Sequence, residues 1–443
     1  MQRRIGSFMN VGVLVLLATV TKIHAALVAS PSYPYPRSAQ LGAAIAYGAI
    51  LAVCLYAFGM PDAPGTKTGA TLAAFGAVLT AGATISALGL LSGASLLPRF
   101  VVLGAGGLVA AWSLICWDLA TSQRARARER ERVVLVGPGT DAAELSAELR
   151  ANAERPAVIA ATLDPAHQSS VGPGPLPLVG VANRANATTI VLTRDALSDE
   201  SIVRQASILH NRGCRVRSLP GFYQEWLGKV QVAELEATSL LFDVGGVHLP
   251  AYVRAKRLAD ILLSVVGAAF LVFVLPFVLL GDLAGNRGPL WFRQDRVGRN
   301  GTTFTMLKFR TMKPAVEHAD CEWTQLDDDR ITPFGRVLRR THLDEFPQVI
   351  NVLRGDLSIV GPRPEQPHYV EELRDKLPFY DFRHLVRPGL TGWAQVKYGY
   401  GSDQVDAFEK LQYDFYYLQN QALSLDLRII TRTLRSILRG SGR

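Results

Sequence analysis

The sequence reads as a membrane protein in three parts: an N-terminal four-helix transmembrane bundle, a central doubly wound α/β domain, and a re-entrant membrane helix that leads into a second α/β domain. Three observations predict this. Four apolar stretches, each near the ~20 residues that cross hydrocarbon as helix, follow one another before residue 122. Short β-branched runs then alternate with amphipathic segments. A fifth long apolar segment, interrupted by Pro276, precedes the remainder of the chain. Composition agrees, since 49% hydrophobic residues and a mean hydropathy of +0.16 are too apolar for an ordinary soluble domain of 443 residues. The expected parts are 1–121, 122–248 and 249–443.

The four spans cover roughly 5–29, 39–59, 69–92 and 100–119, and they are separated by turn-rich stretches such as "SPSYPYPRS" and "MPDAPGTKTG". Arg3 and Arg4 precede the first, and the run "SQRARARERER" follows the fourth. The positive-inside bias therefore puts both ends in the cytoplasm, which an even number of spans allows. The first span lacks an A-x-A cleavage site and reads as a retained anchor. Alanine and glycine dominate spans two and three, favouring close helix packing over a pore, and Lys22 and His24 sit where snorkelling is expected. A formal charge of +9 suits any polyanion, whether nucleic acid, lipid head groups or phosphorylated substrates. No aromatic residues interleave with the arginine run, so it reads as a linker and no nucleic acid is expected as partner. The cysteines Cys54, Cys116, Cys214 and Cys321 form no CxxC pair and read as reduced structural thiols.

From Arg132, "RVVLVGPGTDAAELSAELRANA" reads as strand, glycine turn and helix, and "AVIAATLD", "ATTIVLTRD" and "CRVRSLP" supply further strands. The result is a small Rossmann-like domain. Its glycines run Gly137-x-Gly139-x-x-Ala142, which lets backbone approach a phosphate, but Asp164 lies beyond the ~20-residue offset of a ribose-binding acid. Nucleotide binding and a purely structural or regulatory role both stay open. A nucleotide-dependent dehydratase or epimerase would need a Tyr-x-x-x-Lys site, which this domain lacks.

The fifth segment, "VRAKRLADILLSVVGAAFLVFVLPFVLLGD", is long enough to span. Spanning would carry "RQDRVGRN" and the later cations to the far side, against the positive-inside bias. A helix that enters and returns, breaking at Pro276, resolves the conflict and leaves Arg254, Lys256 and Arg257 at the anionic surface. A plain fifth span is the competing reading.

The rest is dense in motifs: "GPLWFRQDRVGRNGTTFTMLKFRTM", "DDDRITPFGRVLRRTHLDEFPQVINVLRGDLSIVGPRP", "VRPGLTGWAQV" and "LQYDFYYLQNQALSLDLRII". Together, in this order, they resemble the bacterial sugar transferase family, the monotopic polyprenyl-phosphate hexose-1-phosphate transferases that start exopolysaccharide, capsule or O-antigen assembly. The resemblance covers roughly residue 256 to the C-terminus, and the four leading spans with a Rossmann-like domain are similar to the long form of that family.

What the resemblance implies is a two-step exchange at the cytoplasmic face of the bacterial inner membrane. A carboxylate attacks the sugar-bearing phosphorus of a UDP-hexose, UMP leaves, and polyprenyl phosphate takes the phosphosugar. Asp344 matches the nucleophile and Glu345 the Mg²⁺ ligand, and a homodimer is an assembly open to such a chain. On the residues alone, adjacent carboxylates before Pro347 are an N-terminal cap as readily as a site; beside phosphate, the helix start favours their negative charge. Arg339 and Arg363 are the phosphate-binding positions by family match. Lys308, Arg310, Arg383 and Arg387 are further substrate-binding candidates, with Lys308 and Arg310 equally suited to ion pairs within the fold. Asp414 either orients an arginine or metal or sits in a buried ion pair, and Trp393 is packing or an interfacial anchor. Two departures stand out: Leu275-Pro276 replaces the usual Ser-Pro break, and Phe346 replaces leucine after the dyad. The competing class is a membrane-anchored, nucleotide-sensing regulator with an inactive C-terminal domain.

Overall fold

The computed structural model describes residues 2–30, 40–61, 66–93, 96–152, 154–155, 157–164, 176–232, 250–285, 288–313, 330–398 and 404–438. Cys321 and the expected boundary at 248/249 lie outside the described residues. The chain divides into two compact units, Met1–Arg126 and Ala127–Arg443.

The first unit contains α1 (Gln2–Ile23, continued as a π-helical turn to Val28), α2 (Gln40–Ala57), α3 (Lys67–Ser92) and α4, which begins at Arg99. Each is long and apolar enough to cross a membrane. Ala70, Ala74, Ala77 and Ala81 form one buried stripe of α3, because residues spaced by three and four share a helix face. Their small side chains let it press against Val13 and Leu17 of α1 and Leu51 of α2 in a single core. Trp112 of α4 closes over Gly12, donating Nε1–H to the Met9 carbonyl at 3.2 Å; a Cβ on Gly12 would fall 2.0 Å from the indole nitrogen. Outward residues such as Leu72, Leu79, Leu90 and Leu103 are exposed, as a lipid-facing surface requires.

In the second unit, β1 (Arg132–Val136), β2 (Val158–Leu163), β3 (Thr189–Leu192) and β4 (Arg215–Ser218) form one parallel sheet in the order β2-β1-β3-β4. The connections carry α5 (Gly139–Asn152), α6 (Pro177–Arg184), α7 (Arg194–Ser198) and α8 (Glu200–Asn211). All four strands expected from the sequence are present. Val134, Val136, Ile190 and Leu192 enter the core on one face, and Val133, Leu135 and Val191 that on the other. Covering both faces is why these strands read as continuous apolar runs rather than alternating ones. Gly137 is accounted for by packing: a Cβ there would lie 2.3 Å from Thr193 Cγ2.

This sheet domain is joined to the remainder of the second unit by paired charges. Lys229, 1% exposed, donates to Glu148 of α5 at 2.5 Å and to Glu409 of the Gln404–Gln419 helix at 2.9 Å. Glu154 accepts from Lys397 at 2.9 Å and from both terminal nitrogens of Arg432 at 2.8 and 3.0 Å. Burial would raise the Glu154 carboxyl, but Arg432 and Lys397 outweigh it and bring it down to about 2. Because the folded value is depressed, its stabilisation is complete above the unfolded value near 4.5 and fades as pH falls toward 2, amounting to about 3 kcal/mol at neutral pH. Thermal melts should therefore show Glu154→Gln less stable than wild type at pH 6, with the gap narrowing at pH 3.5; a gap that widens in acid would contradict this pairing.

The Pro250–Gly285 helix runs unbroken through Pro276, so the break expected at Leu275-Pro276 is not seen. Continuity has a packing cause: Leu271 and Val278, on either side of the proline, are buried in one cluster with Phe309, Leu338 and Val349. That cluster holds both halves of the helix in line, which offsets the loss of one ladder hydrogen bond. Lys256 and Arg257, expected at the lipid surface, have protein partners. Lys256 pairs with Asp426 at 3.0 Å, and Arg257 donates to the Val352 and Leu353 carbonyls at 2.6 and 2.8 Å.

Candidate active site

Strands β5 (Trp291–Val297) and β6 (Thr303–Phe309) form an antiparallel hairpin. Asn300 and Gly301 both have positive φ at its turn, the backbone that Asn-Gly supplies at least cost. Near the end of β6 stands Lys308. The Pro333–Arg340 helix starts at Thr332, whose hydroxyl accepts from Gly335 N–H at 2.9 Å, and ends with Arg339 and Arg340. His342 then adopts a left-handed φ of 54°, an uncommon conformation for a side chain with Cβ. It turns the chain into a short 3-10 turn, Leu343–Glu345. Pro347 caps the next helix, Gln348–Arg354, so the dyad stands just before a helix start, as expected from the sequence.

That second helix is pinned on two sides. Asn351 accepts from Leu307 N–H at 3.1 Å and donates to the Thr305 carbonyl at 2.8 Å, tying it to β6. Arg257 takes its C-terminal carbonyls, where a cation also meets the negative end of the helix dipole. The dyad thus sits on a mount between the hairpin and the Pro250–Gly285 helix. Phe346 extends that mount, its ring 5.0 Å from that of Phe270.

The two carboxylates differ in their surroundings. Glu345 Oε1 accepts from Lys308 at 2.7 Å and Arg363 at 3.2 Å. Burial alone would raise its pKa, but these two cations hold it well below the ordinary carboxylate range. Asp344 makes no hydrogen bond or ion pair among the described residues. Burial, then the charge of Glu345, pushes it up to about 6 against the pull of Lys308, Arg339 and His342. One carboxylate is anchored and strongly acidic; its neighbour is unbonded and unusually basic.

The cations expected at the site divide into two groups. Lys308 and Arg363 contact Glu345, and Arg339 lies close enough to act electrostatically on Asp344 while its Nε donates to Thr311 Oγ1 at 3.0 Å. Arg383 is turned into the fold. It is 7% exposed, and its guanidinium is engaged by Tyr380 Oη at 2.6 Å, Asp414 at 3.0 Å and the Arg363 carbonyl at 2.9 Å. Asp414, pushed up by burial against the pull of Arg383, is the buried partner of that arginine. Arg310 likewise has partners within the fold, donating to the Pro289 carbonyl at 2.6 Å and reaching Asp282 at 3.5 Å. Arg387 donates to the Gly355 carbonyl at 2.9 Å. Trp393 is packing: it is 1% exposed and donates to the Gly228 carbonyl at 2.7 Å.

Sequence reasoning missed the residues that hold the Gly361-Pro362-Arg363-Pro364 loop. Asp260 of the Pro250–Gly285 helix accepts from Ser358 Oγ at 3.1 Å and Ile359 N–H at 3.0 Å, fixing β7 (Ser358–Val360) just before it. Arg296 donates to the Pro364 carbonyl at 3.2 Å. Both partners lie far from the loop in sequence, 98 residues for Asp260 and 68 for Arg296, so no local pattern pointed to these roles. Gly361 and Gly389 permit β7 to pair with β8 (Gly389–Thr391), since a Cβ on Gly389 would fall 2.1 Å from Gly361 N.

Among the described residues no group of three or more His, Cys, Asp or Glu side chains is placed to hold a metal. The dyad still fits Mg²⁺: that hard ion is often held by one or two carboxylates together with substrate phosphates, and both bonds to Glu345 go to Oε1, leaving Oε2.

Comparison with known proteins agrees with the sequence motifs. The sequence model of the bacterial sugar transferase family matches residues 251–440. The UDP-N-acetylgalactosamine-undecaprenyl-phosphate N-acetylgalactosaminephosphotransferase of Aeromonas hydrophila is 38% identical over 232 residues, 52% of this chain and 55% of the relative. Proteins named UDP-glucose:undecaprenyl-phosphate glucose-1-phosphate transferase also align, among them the following two. That of Xanthomonas campestris pv. campestris is 38% identical over 219 residues, 48% of this chain and 44% of the relative. That of Caulobacter vibrioides is 42% identical over 208 residues, 46% of this chain and 77% of the relative. The chain spans about half the length of the first two relatives. With the family model falling on the segment that holds the dyad and its arginines, and a 42% identical relative covered over 77% of its length, the chain belongs to the bacterial sugar transferase family.

Proposed function

We propose that this chain transfers a hexose 1-phosphate from a UDP-hexose to polyprenyl (undecaprenyl) phosphate at the cytoplasmic face of the bacterial inner membrane, as the first membrane step of exopolysaccharide, capsule or O-antigen synthesis. The observation that carries the reading is the asymmetry of the dyad. Asp344 Oδ is free to form a bond to the sugar-bearing phosphorus while the P–O bond to UMP breaks and UMP leaves with the electron pair. An oxygen of the lipid phosphate then attacks the same phosphorus and releases the Asp344 carboxylate. Its raised basicity suits a carboxylate that must act as nucleophile. Lys308, Arg339 and Arg363 supply fixed positive charge where two phosphates and two carboxylates converge, which offsets the repulsion an anionic nucleophile meets. Glu345, with substrate phosphate oxygens, would hold Mg²⁺, which when bound supplies further neutralisation of the diphosphate.

Access for a lipid phosphate follows from the membrane helix. Asp260 and Asp282 lie 22 positions apart, about 33 Å of helix, yet both are tied to the same domain, through Ser358 and Arg310. A span would place that polar domain alongside hydrocarbon, so this packing favours a helix held on one side of the bilayer. Its outward face, with Leu262, Val266, Phe273, Phe277 and Leu280 exposed, is apolar enough to enter lipid. The four leading helices would anchor the chain as true spans, and the parallel-sheet domain is read as Rossmann-like.

The test is a panel of UDP-sugars with the full chain, undecaprenyl phosphate and Mg²⁺, reading UMP. Lipid-dependent UMP release from at least one UDP-hexose is expected; absence of turnover across the panel would overturn the reading and favour a regulatory role.

A further inference from the structure

The joint between the sheet domain and the transferase segment is built from buried charge rather than from a loose polar contact. Lys229 is 1% exposed and shared between a carboxylate of each side, Glu148 and Glu409. Beside it the backbone continues the contact: Val230 N–H donates to the Gln412 carbonyl at 3.0 Å, and Trp393 donates to the Gly228 carbonyl. Domain interfaces within a chain are ordinarily mobile unless something specific fixes them. Here a cation removed from water is paired with one carboxylate from each side, and taking away either side leaves a buried charge with half its compensation.

The helix that receives Lys229 also reaches the site. Gln404–Gln419 carries Glu409 and, five residues on, Asp414. Asp414 holds Arg383, the same Nη2 of Arg383 holds the Arg363 carbonyl, and Arg363 in turn contacts Glu345. Among these links only Lys229 and Glu148 lie outside the segment that carries the family's motifs. Continuity of contacts is not itself coupling, but the charged groups at Lys229, Asp414 and Arg383 are buried and one helix joins them, which leaves little slack to absorb a shift.

We propose that Lys229 is a positioning residue for phosphosugar transfer: by locking the sheet domain to the Gln404–Gln419 helix it sets, through Asp414 and Arg383, where Arg363 stands. The sheet domain is then a working part of the catalytic unit. Resting as it does on the transferase reading, the inference predicts an effect on substrate binding more than on the chemical step, since Arg363 is displaced and the dyad's own mount is untouched.

The experiment uses the full chain in membranes, with the UDP-hexose that wild type turns over. Lys229→Met should raise KM for that sugar about tenfold and change kcat less than threefold. Glu409→Gln, a milder change at a residue 23% exposed, should move KM the same way by a smaller factor and serves if Lys229→Met does not accumulate. The decisive arm is a double-mutant cycle with Arg363→Ala. If Lys229 acts through Arg363, removing Lys229 or Glu409 in that background adds less than twofold to the loss of kcat/KM. Unchanged KM in the single variants, or losses that multiply in full, would overturn the inference while leaving the transferase reading intact. A wild-type chain that neither binds UDP nor turns over any UDP-hexose would instead sink the transferase reading.

Discussion

Asp344→Asn is expected to lower the rate of UMP release by about 10⁴-fold or more, because an amide offers no anionic oxygen to form the bond to phosphorus. Folding should hardly respond. Asp344 takes part in no hydrogen bond or ion pair among the described residues, and its charge is opposed by burial and by Glu345. Asparagine keeps the volume and removes that opposition, so the melting temperature should stay level or rise slightly. A second readout separates the nucleophile from a mere electrostatic aid: wild type incubated with UDP-hexose and no lipid should gain the mass of one phosphosugar, and the variant should not. Retention of more than about 1% of the wild-type rate, or a covalent adduct on the asparagine variant, would end the assignment.

Much of this architecture was legible in the sequence because the signals were local. Four apolar runs gave four helices of spanning length, and β-branched runs such as "RVVLV" and "TIVL" gave the strands of a sheet buried on both faces. The position of the dyad was legible too, since Pro347 is confined to the start of a helix. What stayed hidden depended on partners distant in the chain. Arg383 and Arg363 both read as phosphate-seeking cations; only folding shows that one is consumed by Tyr380 and Asp414 and the other turned to Glu345. Pro276 read as a break because proline ends an isolated helix, whereas a shared core on both sides of it carries the helix through. Lys229 gave no signal at all, as a lone lysine in "GKVQV" reads as solvated until two carboxylates from different parts of the chain close on it.

Glu345→Gln should act differently from the change beside it. Glutamine preserves shape and can still accept one hydrogen bond, yet it leaves Lys308 and Arg363, 17% and 31% exposed, without the charge they now share. Partial exposure screens the residual repulsion between them, so the cost to stability should be about 2 kcal/mol rather than the larger figure for a fully buried pair. Activity should fall further than stability, by about 10²- to 10³-fold, since the variant both loses an oxygen anion for Mg²⁺ and lets two phosphate-facing cations drift. The signature lies in the metal dependence: the Mg²⁺ concentration for half-maximal UMP release should rise at least about tenfold, and Glu345→Asp should recover part of it. Were Glu345 only an anchor for the two cations, the rate would fall with an unaltered Mg²⁺ requirement. In that case the ion would be held without Glu345, and Asp344 could not take its place through the oxygen that attacks phosphorus, since one oxygen cannot be both ligand and nucleophile.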